Sequence, residues 1–130
     1  MAVVRPQVIA LLVCDAVHRD PSTGKHFLMG CFNALTARSF PARHPHLAVH
    51  VAVTEGYGAL RLEVRLARPD GETIIHRLSA DVTFPDPRTV AELSFQFTDV
   101  VFPGPEEVRV QVRADDDLVM ERRLQILPAG

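Results

Sequence analysis

Along most of this chain apolar residues recur at every second position, and a turn signal breaks the rhythm roughly every eight to twelve residues. Leu47, Val49, Val51 and Val53 alternate with His46, Ala48, His50 and Ala52. Leu60, Leu62, Val64 and Leu66 alternate with Arg61, Glu63 and Arg65. The same beat runs through Ala91, Leu93, Phe95 and Phe97 and through Val108, Val110 and Val112. Period two is the spacing of a strand with one dry face, and helical spacing accounts for none of these runs. The expectation is an all-β chain: a single antiparallel β-sandwich of about eight strands, immunoglobulin-like or C2-like, occupying residues 1–130 as one domain.

The connectors support that count. Asp20-Pro21-Ser22-Thr23-Gly24, Glu55-Gly56-Tyr57-Gly58, Pro69-Asp70-Gly71, Pro85-Asp86-Pro87, Pro103-Gly104-Pro105 and Asp115-Asp116-Asp117 consist of residues that preset or tolerate turn dihedrals. Phe40 to Pro45 holds two prolines and lacks alternation, which predicts a crossover between sheets. The first two predicted strands, Val8 to Val17 and His26 to Leu35, are apolar at both parities and read as covered on both faces. Gly30 inside the second predicts a bulge or a close backbone approach. In the last predicted strand, Leu118 to Leu127, Arg122 falls on the dry parity, so a bulge turns it outward or a carboxylate pairs with it.

Charge and composition remove whole classes of partner. A net charge of −2 and 13 arginines against one lysine, Lys25, leave no basic patch suited to nucleic acid. The longest leader-like run, Val8 to Cys14, is too short to span a bilayer, and Val13 spoils its likeness to a lipoprotein cleavage box. The expected setting is cytoplasmic, away from membranes. There Cys14 and Cys31, on neighbouring predicted strands, read as small hydrophobes, with a disulfide as the alternative.

Each chemical constellation also has a plainer structural reading. His44, His46 and His50 would be the ligands of a zinc site, but their spacing lacks a frame that fixes ligand geometry. Asp115, Asp116 and Asp117 would hold calcium if Asp86 or Glu106 and Glu107 approached; otherwise they form a hairpin turn. His76 shares the parity of Ile74, Leu78, Ala80, Val82 and Phe84 and is expected to face the core. None of Ser22, Ser39, Ser79 and Ser94 sits in a nucleophile elbow, and the glycines form no phosphate loop. The reading assigns no catalytic residue, no cofactor and no metal.

The segments Ala10-Leu11-Leu12-Val13-Cys14-Asp15-Ala16 and Thr23-Gly24-Lys25-His26-Phe27-Leu28-Met29-Gly30-Cys31-Phe32 resemble the opening of a family of small bacterial proteins classed only as a domain of unknown function. The likeness extends through the proline-containing crossover, the strand Leu60 to Leu66, the Pro69-Asp70-Gly71 turn and the C-terminal strands. It implies a stand-alone domain and carries no site residues. The functional expectation is a non-enzymatic module that binds a protein partner, or itself, through a sheet face or edge strand. The alternative is a ligand module whose loops bind a sugar, calcium or another small molecule. An enzyme, resting on His50, His76 or Cys31, comes third.

Overall fold

The computed structural model describes residues 5–130; residues 1–4, part of the expected domain, lie outside the described residues. Among the described residues there is no helix, and so none long and apolar enough to cross a membrane. The chain forms β1 (Gln7–Arg19), β2 (His26–Cys31), β3 (Ala34–Ala37), β4 (Ala42–Thr54), β5 (Gly58–Ala67), β6 (Ile74–Phe84), β7 (Ala91–Phe102), β8 (Glu106–Ala114) and β9 (Asp117–Pro128). One sheet has the order β2-β1-β4-β7 and is antiparallel throughout. The other has the order β3-β9-β8-β5-β6, and in it β3 runs parallel to β9.

Among the described residues, nine strands with one mixed sheet thus replace the expected antiparallel set of about eight. The cause lies at Phe32 and Asn33, where the stretch expected as one strand divides: β2 stays with β1, and β3 joins the opposite sheet. Parallel neighbours cannot be joined by a tight turn. Here most of the chain intervenes between β3 and β9, so no local pattern announces the pairing. The chain returns to the first sheet through residues 38–41, with a cis peptide at Phe40–Pro41. The crossover is therefore earlier and shorter than expected, since residues 42–45 already belong to β4.

The alternating runs do what their period requires. Leu47, Val49, Val51 and Val53 of the first sheet and Leu62, Val64, Val110 and Val112 of the second are fully or almost fully buried in one cluster shared by both sheets. His76 points to this interior, its ring 5.1 Å from that of Phe97 on the opposite sheet. Arg122 takes neither expected course. It keeps its inward parity and donates to the Leu11 carbonyl at 2.6 Å and to the Asn33 side chain, tying β9 to the margin of the first sheet.

Candidate functional site

The first sheet is unusual on the face turned away from the core. Ala48, His50 and Ala52 of β4 and Cys14 of β1 lie there and are nonetheless buried. What covers them begins where β1 leaves β4. Their last paired residues are Cys14 and Ala48, and beyond that point a cleft of about 340 Å³ opens, lined by Asp15, Ala16, His44, Pro45 and His46. Pro45 is tolerated because it needs no ladder hydrogen bond on the side β1 has vacated.

The β1–β2 hairpin bends at this point. Gly30 adopts φ +70°, a left-handed conformation that favours glycine, and a Cβ built on it would lie 2.5 Å from Asp15 Oδ2, which would have to shift. Beyond the bend the hairpin forms a flap. His26 on β2, a strand hydrogen-bonded to neither β4 nor β7, reaches over their outer face: its ring lies 5.1 Å from that of His50, and its Nδ1 lies 3.4 Å from Glu92 Oε2. Val17 and Leu28 are half-buried on the flap, whereas Phe27 and Met29 are 50% and 48% exposed. The expectation of two doubly covered N-terminal strands is corrected accordingly. β2 is an edge strand, and its second apolar parity meets solvent.

Under the flap, three strands assemble a polar chain. Glu92 and Ser94 stand two apart on β7 and so share a face, and His50 is the direct partner of Ser94 across β4 and β7. His50 Nδ1 lies 3.1 Å from Ser94 Oγ and Nε2 3.2 Å from Glu92 Oε1. The Glu92 carboxylate thus bridges two imidazoles, one only 3% exposed and the other carried by the flap. We call this arrangement a latch: its His50 end is hydrogen-bonded to Ser94 and Glu92, and its His26 end approaches Glu92 at ion-pair distance. Hydroxyl, imidazole and carboxylate follow one another as in hydrolytic triads, but the ring nitrogens are exchanged, since Nδ1 and not Nε2 faces the hydroxyl.

A model of a family of unknown function, DUF6941, matches residues 9–127, from near the start of β1 almost to the end of β9. The chain belongs to that family. No curated protein matches it.

Other candidate residues of this DUF6941 member are dispersed. His44 lies 3.9 Å from Asp15 and edge-on to Phe32, His46 is exposed, and His50 belongs to the latch. His44 and His46 both line the cleft beside Asp15, whereas His50 is held by Ser94 and Glu92, so the three do not share a centre. Asp115 and Asp116 have φ of +45° and +72°, the signs of a type I′ hairpin turn. Asp115 also accepts from the Arg61 amide at 2.8 Å. Glu106 pairs instead with Arg68, Glu107 with Arg123, and Asp86 accepts from the Arg88 amide. Among the described residues no group of three or more His, Cys, Asp or Glu side chains is placed to hold a metal ion. His26, Glu92 and Ser94 carried no sequence signal beyond polar positions in alternating strands. Their meeting depends on the flap, a long-range event.

The polar parity of the second sheet behaves as a network of cross-strand pairs. Glu121 accepts from Arg109 at 2.5 Å and from Gln111 at 2.8 Å, and Gln111 also donates to the Gly71 carbonyl at 3.0 Å. The hydrogen bond from Gln111, helped by Arg109, holds the Glu121 carboxyl below its ordinary range.

Proposed function

We propose that this protein is a cytoplasmic, non-enzymatic interaction module, and that its contact surface is the free edge of β2 on the flap, paired with β2 of a second copy. The observation that carries this reading is the edge itself. Among the described residues β2 is bonded to β1 on one side only, and Phe27 and Met29 project half-exposed beside the other edge. Antiparallel pairing about a two-fold axis through Leu28 keeps like faces together and sets Phe27 of each copy opposite Met29 of the other. Sulfur–aromatic contacts of this kind are favourable. The same axis sets the bulky His26 opposite Gly30, which has no side chain to clash. A six-residue edge lies below the size of a standard interface, so association in the micromolar range is expected.

Sedimentation equilibrium tests this on the wild type and on Met29→Glu. The substituted position is exposed, so the fold should survive. The expected outcome is a concentration-dependent dimer that the substitution abolishes. A wild type that stays monomeric, or a dimer indifferent to Met29→Glu, overturns the proposal.

A further inference from the structure

Cys14 and Cys31 are direct Cα partners across β1 and β2. The Phe32 amide donates to the Val13 carbonyl at 3.0 Å, which makes Cys14–Cys31, one step on, a non-hydrogen-bonded pair of the ladder. Opposing Cα atoms at such a pair stand about 4.5 Å apart. A disulfide spans Cα separations of about 4.4–6.8 Å. Both residues are free thiols; Cys14 is buried, its Sγ 3.4 Å from the Ala16 carbonyl, and Cys31 is exposed.

We infer that Cys14 and Cys31 form a reversible dithiol–disulfide pair at the root of the flap, oxidised by a low-molecular-weight disulfide of the glutathione class. Cys31 gives its proton to water, and its thiolate attacks one sulfur of the small disulfide. The S–S bond breaks, one small thiolate leaves, and Cys31 carries the mixed disulfide. The Cys14 thiolate then attacks the Cys31 sulfur, forming the intramolecular bond and expelling the second small thiolate. Two electrons pass from the protein to the small disulfide, which departs as two thiols bearing the two released protons. Burial, and after it the nearby Cys31, push the Cys14 thiol up. Cys31 is therefore the point of attack and Cys14 the resolving residue. Because the Asp15–Gly30 bend is the next step along the hairpin, the bond braces the flap at its hinge. In a reducing compartment such a bond is a switch and not a permanent brace.

The full chain is incubated with oxidised glutathione and followed by intact mass and thiol counting. The wild type is expected to lose both thiols and two hydrogens of mass, retain no glutathione, and recover both thiols with reductant. Cys14→Ser is expected to stop with one glutathione on Cys31, and Cys31→Ser to react at least about tenfold more slowly. Three results overturn the inference: a wild type arrested at the mixed disulfide, one that forms intermolecular disulfides, or one that reacts only in denaturant. In the β2 dimer proposed above, the two Cys31 residues lie about 20 Å apart at the usual strand rise, so that dimer does not confuse the readout.

Discussion

The two faces of the four-stranded sheet are built from the same strands and closed by opposite means. On the inner face, Val49, Val51, Phe95 and Phe97 interlock with the second sheet in a dry core. On the outer face, Ala48 and Ala52 keep the surface low, and the flap is seated through His26, Glu92, His50 and Ser94. The inner face draws its strength from apolar area, which is insensitive to pH. The outer face depends on a few polar contacts and one hinge. Low-stability elements of this kind are the parts of a protein that open, dock and respond.

That contrast can be broken by substitution. Phe97→Ala on the inner face removes a buried ring that also stacks with His76, and it is expected to cost about 4 kcal/mol in denaturant unfolding. A loss below about 2 kcal/mol would place the core elsewhere. Under the flap, His50→Ala leaves Ser94 and Glu92 without their shared partner. It should cost about 1–2 kcal/mol, and it should speed amide exchange in residues 16–29 while β5 and β8 stay protected. Uniformly faster exchange would mean that the flap is no separate unit. Gly30→Ala forces a side chain into a positive-φ position against Asp15 and should lower stability by about 1–2 kcal/mol. Part of that loss should return when Asp15→Ala is added, as a double-mutant cycle would show.

The smallest expected effect is an acid response of the second sheet. Asp70 accepts from the Glu72 and Thr73 amides and from the Thr73 hydroxyl, the last holding its carboxyl furthest down, to about 2. Glu121 is lowered as well. A carboxyl whose folded pKa lies below its unfolded value stabilises the fold above the unfolded value, and that contribution fades as pH falls through the folded one. Stability should therefore decline from about pH 4.5 towards pH 2. Asp70→Asn should flatten the lower end of that decline, as thermal melts across the range would show.

The legibility of the molecule follows the same division. Strands β4, β5, β7 and β8 each present one face to a dry core, and period-two alternation records that directly. The Asp115–Asp116 turn and the inward His76 were legible for equally local reasons. The N-terminal hairpin misleads because two different causes make both its parities apolar: one lies towards the sheet and the other offers Phe27 and Met29 to solvent. Strand β3 was merged with β2 because nothing within four residues distinguishes a strand that continues from one that changes sheets. The latch was invisible because His26, His50 and Glu92 come from three strands, with 42 residues separating His50 from Glu92.

The β1–β2 hairpin sits as a flap over the outer face of β4 and β7. Magnetisation transfer between the imidazole protons of His26 and His50, whose ring centres stand 5.1 Å apart, tests it most directly. A cross-peak between the two rings is expected, and it should disappear in Glu92→Ala. Native cross-strand peaks throughout β4 and β7 with no His26–His50 peak in the wild type would contradict it.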